Sequence, residues 1–238
     1  MTAEAPTRDT LLAGELVLWQ PPRGAGYRFN LDPVLLSSFV LPTEHLLDLG
    51  AGCGVLGLLL LRLCKARAVT AVEVQPTLAA LAKQNGQENG FGSAYAVLTG
   101  DLRHLSLPAV TAVAFNPPYF RADSGHLPPE LGRRVGRYET HGALDDFVRV
   151  AAAAVGSRGP VSGVLPMQRE RDLLRALHKS DLTLTRRREI RARIQAAPRF
   201  MLWEARAAAC ACVVEPPLVV HEESGRAYSG EVRALLRE

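Results

Sequence analysis

Hydrophobic and polar positions change rhythm in blocks from His45 onward. "HLLDLG" is a short apolar run stopped by glycine, which predicts a strand, and "GVLGLLLLRLCKA" predicts an apolar helix. "AVTAVEVQ" predicts a second strand, and "PTLAALAKQNGQENG" a helix that closes at a glycine. "AYAVLTGD" and "VTAVAFNPP" predict the third and fourth strands. Beyond them, "ALDDFVRVAAAAVG" reads as a helix, "GPVSGVLP" as a strand and "MQRERDLLRALHKS" as a helix. Three further strands are expected at "LTLTRRREIRARI", "RFMLWEARA" and "ACACVVEPPLVV", the last two pairing antiparallel at an edge. This alternation predicts an α/β fold with parallel pairing and helices on both faces. Residues 1–44 form an N-terminal extension to a single compact domain over 45–238. In it, "ELVLWQPPRGAGYRFNLDPVLL" predicts two short strands around a Pro/Gly-rich turn, then a helix with Asp32 as N-cap and Pro33 at its first position. Residues 121–140 are polar, without periodicity, and long enough to expect a functional loop.

Composition adds limits. Hydrophobic residues make up 47% and charged residues 22%, as in soluble globular chains. The net charge of +4, carried mostly by arginine, permits a polyanionic partner without requiring one. Cys53, Cys64, Cys210 and Cys212 show no ligand spacing, so no metal site is expected. The mixed-charge N-terminus does not read as a signal peptide, and no apolar stretch approaches about 18 residues. A cytoplasmic protein without a membrane span is expected, with a monomer as the default state.

Two stretches carry candidate chemistry. In "LLDLGAGCGVLGLLLL", Asp48, Gly50, Ala51, Gly52, Cys53 and Gly54 stand between a strand and a helix. Glycines there permit a tight turn and close ligand approach. No Lys-Ser/Thr follows, which argues against a nucleoside triphosphate, and D-x-G-x-G-x-G departs from the dinucleotide spacing. Glu73 ends the second strand, where a carboxylate can accept both ribose hydroxyls of an adenosine. Asp101 follows the third strand and can accept from an adenine amino group. The bland alternatives are an exposed strand end for Glu73 and a helix N-cap for Asp101. Acids around a glycine loop suit a cationic ligand and suit a pyrophosphate poorly. In "AVAFNPPYF", Pro117 and Pro118 end the sheet ladder and hold Asn116 extended, so a rigid turn presents an amide, carbonyls and the Tyr119 ring.

In this order, "DLGAGCG", Glu73, Asp101 and "NPPY" resemble the class I S-adenosylmethionine-dependent methyltransferases. The resemblance implies a Rossmann-like α/β fold, with a mostly parallel seven-stranded sheet, an antiparallel edge and helices on both faces. It implies S-adenosylmethionine bound by the residues from Asp48 to Gly54, Glu73 with Val74, Asp101 with Leu102, and Asn116. It makes Asn116, Pro117, Pro118 and Tyr119 the catalytic turn of an enzyme that methylates a planar, conjugated nitrogen. Oδ1 of Asn116 and the carbonyl of Pro117 would accept the two amine protons, while Tyr119 would stack on the base.

"RGAGYRFNLDPVLLSSFV", "NPPYF", "RRVGRYET" and "PPLVVHEESGRAYSGEVRALL" together resemble the bacterial tRNA (adenine-37-N6)-methyltransferases acting on valine tRNA. The chain departs from them in carrying Arg137-Tyr138-Glu139 where Arg-His-Glu is common. The resemblance implies a tRNA partner, with Phe120, Arg133, Arg134 and Arg137 on the substrate side. Arg186, Arg187, Arg188, Arg191 and Arg193 form a second basic run, open to two readings: phosphate contacts or a solvated strand face. Tyr27, Arg28 and Phe29 could close over the site or pack within the hairpin. Glutamine N5 of a release factor, another nucleic-acid base, and a non-catalytic RNA-binding module remain the alternatives.

Overall fold

The computed structural model of the chain describes residues 5–22, 28–117, 143–156, 159–208 and 210–238. A hairpin opens it: β1 (Thr7–Leu11) and β2 (Leu16–Gln20) pair antiparallel, Thr7 opposite Gln20. The turn between them is Leu12–Glu15 and not the Pro/Gly-rich segment after Gln20 that the sequence suggested. Leu12 and Ala13 both hold φ near +53°, unfavourable for residues with a Cβ. Leu12 nevertheless buries its side chain to 1% exposure, and that burial offsets the strain of the turn.

Helix α1 (Asp32–Phe39) starts where expected, but Leu31 is its N-cap, which puts Asp32 in the first turn and Pro33 at the second position. Asp32 instead exchanges hydrogen bonds with Asn30: Nδ2 of Asn30 donates to Oδ2 at 2.5 Å, and the Asp32 amide donates to Oδ1 at 3.2 Å.

From there strands and helices alternate: β3 (Thr43–Leu49), α2 (Val55–Arg62), β4 (Ala66–Glu73), α3 (Pro76–Glu88), β5 (Tyr95–Thr99) and β6 (Ala112–Phe115). They continue with α4 (Leu144–Val155), β7 (Val161–Pro166), α5 (Glu170–Lys179), β8 (Thr183–Arg191), β9 (Pro198–Arg206), β10 (Val213–Val219) and α6 (Gly230–Leu236). The period-two rule sorts the strand side chains. Leu46, Ala112, Ala114 and Leu202 join the core under α1, α2 and the hairpin, whereas Leu47, Leu49, Val113, Phe115 and Trp203 join the core under α4 and α5.

The main sheet has eight strands, not seven, in the order β10-β8-β9-β7-β6-β3-β4-β5. The pairs β3–β4, β4–β5, β3–β6 and β6–β7 are parallel. The strand predicted at "RFMLWEARA" does not pair with the one after it. β9 inserts between β7 and β8, antiparallel to both, and β10 runs parallel to β8 at the outside. The composition explains the swap. β9 buries Met201 to Ala205 without a break and so takes an interior place, whereas Pro216 and Pro217 lack donors and hold β10 at an edge.

β3 lies at the switch point. The chain leaves it toward β4 and β5, then returns to β6 on its other side. Leu49 is in register with Val72 of β4 and Phe115 of β6, so the segments after β3, β4 and β6 emerge together at one end of the sheet. Ligands of open α/β sheets bind in the crevice at that place.

Candidate active site

The loop after β3 is shaped by its glycines. Gly50, Gly52 and Gly54 have φ of +68°, +58° and +90°. The amides of Gly50 and Ala51 both donate to the Val72 carbonyl, at 2.9 and 3.0 Å, which folds the loop back over β4. At Gly54 there is no space for a side chain either: a Cβ would lie 2.2 Å from the Tyr95 hydroxyl. The Phe147 ring lies against Gly50 and continues to Phe115 and Trp203, each successive pair of centroids 5.4 Å apart. That aromatic row supports the loop and the end of β6 from the far face.

Two carboxylates hold this loop from inside. Asp48, 2% exposed, accepts from the Gly57 amide at 3.0 Å. Burial pushes its carboxyl up to about 7, against the lowering effect of that hydrogen bond, and the negative charge of Glu73 adds to the rise. Glu73, 5% exposed, accepts from the Gly52 amide at 2.8 Å and from the Gln75 amide at 2.9 Å. It is a buried brace between the loop and the start of α3, not the exposed strand end of the bland reading.

A cleft opens to solvent here. Asp48, Gly50, Ala51, Cys53, Val55 and Leu56 line it together with Phe29, Pro33 and Asn116. Of the predicted residues, the glycine loop and Asn116 therefore converge, with Glu73 one hydrogen bond behind. Pro117 is buried beside Asn116, and Val74 is half-buried beyond Glu73.

Leu102 and Asp101 are not among its lining residues. Leu102 is buried in the α4–α5 core. Asp101 caps its own turn through the Arg103 amide at 2.9 Å and pairs with the Arg103 guanidinium at 2.5 Å. That guanidinium holds the carboxyl down at about 2. Pro118, Tyr119, Phe120, Arg133, Arg134, Arg137, Tyr138 and Tyr27 lie outside the described residues. Burial pushes the Cys53 thiol up to about 12, which removes it as a nucleophile.

The wall formed by Phe29 and Pro33 comes from the N-terminal extension. Its signal in the sequence was weak, because Phe29 reads equally well as hairpin packing. It is tied down locally: the Phe29 amide donates to Oε1 of Gln20 at 3.2 Å, and Arg28 donates to Asp9, Thr7 and Pro21.

The arginines of the second basic run each have a partner within the fold. Arg186 pairs with Glu204 and Glu215, Arg187 with Glu170, Arg188 with Glu231 and Arg191 with Glu189. Arg193 donates to the Gly225 carbonyl. Arg186, Arg187 and Arg188 tie β8 to β9, β10, α5 and α6, while Arg191 pairs within its own strand.

The donor set indicates what the cleft accepts. Among its described lining residues there is no lysine or arginine to meet a phosphate, and the carboxyl of Asp48 is buried, with its ionisation shifted toward neutral pH. A ligand carrying positive charge would stabilise the ionised form, so the site fits a sulfonium with an ammonium group. Among the described residues, no group of three or more His, Cys, Asp or Glu side chains could hold a metal ion, and no helix is long and apolar enough to cross a membrane.

Residues 32–129 match the family model of the methyltransferase small domain. The chain is 27% identical, over 87% of its length and 86% of the relative's, to the tRNA1(Val) (adenine(37)-N6)-methyltransferase of Porphyromonas gingivalis strain W83. It is 28% identical to the protein of the same name from Shewanella amazonensis, over 75% of this chain and 78% of that one. Among solved structures it is similar to a predicted O-methyltransferase, protein Atu636 from Agrobacterium tumefaciens, with a TM-score of 0.68 and 25% identity over 87% of this chain and 95% of that one. Its cleft at the switch point of this sheet, the partial family match and the relatives named for methyl transfer together support an S-adenosylmethionine-dependent methyltransferase similar to the class I enzymes.

Proposed function

We propose that this enzyme methylates the exocyclic N6 of an adenine in tRNA, and that the target is adenine 37 of valine tRNA. One observation carries the reading: Asn116, at the end of β6, lines the same cleft as the glycine loop. The relatives named for that reaction, at 27–28% identity, support the choice of substrate.

Bound S-adenosylmethionine supplies a methyl carbon, whose bond to sulfur breaks as a bond to the amine nitrogen forms. The chain's residues do the rest. Asp48 and the carbonyls of the loop favour the positive end of the donor, Glu73 is the acceptor for ribose hydroxyls, and Val74 flanks it. Asp101, with Leu102 beside it, accepts from the donor's adenine once Arg103 turns aside. Oδ1 of Asn116 and the Pro117 carbonyl each accept one proton of the target amine. This draws electron density onto a nitrogen whose lone pair is delocalised into the ring. Pro118 holds the carbonyl outward, and Tyr119 stacks on the base. Phe120, Arg133, Arg134 and Arg137 hold the surrounding nucleotide and its phosphates. A stacked adenine has to swing out to reach this turn. The surplus amine proton leaves for water after transfer, and the rate comes from alignment more than from a general base. A cytoplasmic location, where tRNA is modified, follows from this reading.

Labelled S-adenosylmethionine and bulk tRNA test it. The intact chain should incorporate methyl groups, recovered as N6-methyladenine on nucleoside mass spectrometry. Asn116→Ala should lower turnover on the order of a hundredfold. Methylation of a protein fraction with tRNA left unmodified would overturn the proposal.

A further inference from the structure

β2 pairs with β1 along one side, and its other side faces α3. Strand edges of this kind present unpaired donors and acceptors. Two asparagines one helical turn apart meet them. Oδ1 of Asn89 accepts from the Val17 amide at 2.8 Å, and its Nδ2 donates to the Val17 carbonyl at 2.7 Å. Asn85 repeats the arrangement on Trp19, at 2.7 and 3.0 Å. Each side-chain amide thus serves its residue of β2 as a neighbouring strand would.

The two differ in one respect. The second proton on Nδ2 of Asn85 goes to the carbonyl of Cys53, in the middle of the glycine loop, at 2.9 Å. Asn85 is 0% exposed, and both its donors are committed. The second proton of Asn89 goes to Asn85's own carbonyl, within α3. From Trp19 the connection continues: the next residue, Gln20, accepts from the Phe29 amide, and Phe29 lines the cleft together with the loop's own residues.

We propose that Asn85 is a positioning residue that locks the glycine loop to the N-terminal hairpin, so that the Cys53 and Phe29 sides of the cleft keep one spacing and move as one body. It touches no ligand. It sets the shape of the donor site by fixing the Cys53 carbonyl. Asn89 secures the same strand without touching the loop and is the natural control. This inference rests on the cleft being the donor site.

The test compares Asn85→Asp with Asn89→Asp, each of which keeps side-chain volume and the acceptor toward β2. At position 85 the change also sets an oxygen against the Cys53 carbonyl. Calorimetric titration with S-adenosylmethionine should show a dissociation constant raised on the order of tenfold for Asn85→Asp and within about twofold of the parent for Asn89→Asp. The KM for tRNA should be unchanged in both. Hydrogen exchange on the unaltered chain gives a second reading that needs no variant. Saturating donor should slow exchange of the Trp19 amide, held by Asn85, and leave that of Val17, held by Asn89, unchanged. Equal shifts in both variants, or equal protection of both amides, would overturn the inference. Failure of the unaltered chain to bind the donor would instead overturn the reading of the cleft.

Discussion

Asp48 sits where ionisation is costly. It is buried, a second carboxylate lies nearby, and the Gly57 amide donates to it. The folded chain therefore keeps its proton from the usual carboxylate range up to about pH 7, while the unfolded chain releases it early. The sign follows: the group's contribution to stability falls as pH rises through that window and is level above it. A side-chain amide in its place could not ionise. The Asp48→Asn variant should therefore lose that slope in thermal melts between about pH 4 and about pH 7, and should be no less stable than the parent at the alkaline end. Its affinity for S-adenosylmethionine should drop on the order of tenfold, measured by calorimetry. At this scale the sequence was informative wherever a residue's role depends on its chain neighbours: the D-x-G-x-G-x-G loop, Glu73 at a strand end, Asn116 before two prolines. Asp101 shows the limit. Its position was legible, but its pairing with Arg103 depends on a turn geometry that spacing does not specify.

Elements meet most tightly where α2, α3 and β5 converge. Gly54, Gly57 and Gly86 all border the Tyr95 ring, and a Cβ at Gly86 would lie 2.5 Å from it. An alanine at position 57 would place a methyl 2.8 Å from Val69 Cγ1 and 3.0 Å from the Tyr95 ring. Gly57→Ala should accordingly lower stability by about 1–3 kcal/mol in urea melts, despite the better helix propensity of alanine. Glycines inside a helical pattern were visible in the sequence as irregularities. Their cause was not, because Tyr95 arrives from another strand. The same reason hid the wall of the cleft made by Phe29 and Pro33, and the role of Asn85: each depends on a segment that precedes the regular alternation and folds back onto it. The hairpin turn was misplaced because Pro and Gly marked one candidate, while burial of Leu12 selected another.

Across the whole molecule, the last three strands are tied to one another and to α1 by charge as well as packing. Arg186 on β8 reaches Glu204 on β9, Glu215 on β10 and the Phe39 carbonyl at the end of α1, with its guanidinium 3.8 Å from the centre of the Phe39 ring. Its side chain is 18% exposed and that of Glu204 only 4%. Arg186→Ala leaves a buried carboxylate with Arg206 as its remaining recorded ion-pair partner, and should cost about 3 kcal/mol in denaturant unfolding. The overall α/β class was readable from alternation, since parallel strands need helices between them. The order of the last three strands was not, since several pairings satisfy the same apolar runs, and continuous burial of β9 against the prolines of β10 decides between them. One consequence follows from the two layers. The chain has two tryptophans. Trp19 lies in the hairpin against the α1–α2 core, and Trp203 lies fully enclosed in the core beneath α4 and α5. Each side of the sheet thus carries a single tryptophan, so with excitation selective for indole the loosening of one half during denaturation can be told apart optically, by replacing either tryptophan with phenylalanine, from the loosening of the other.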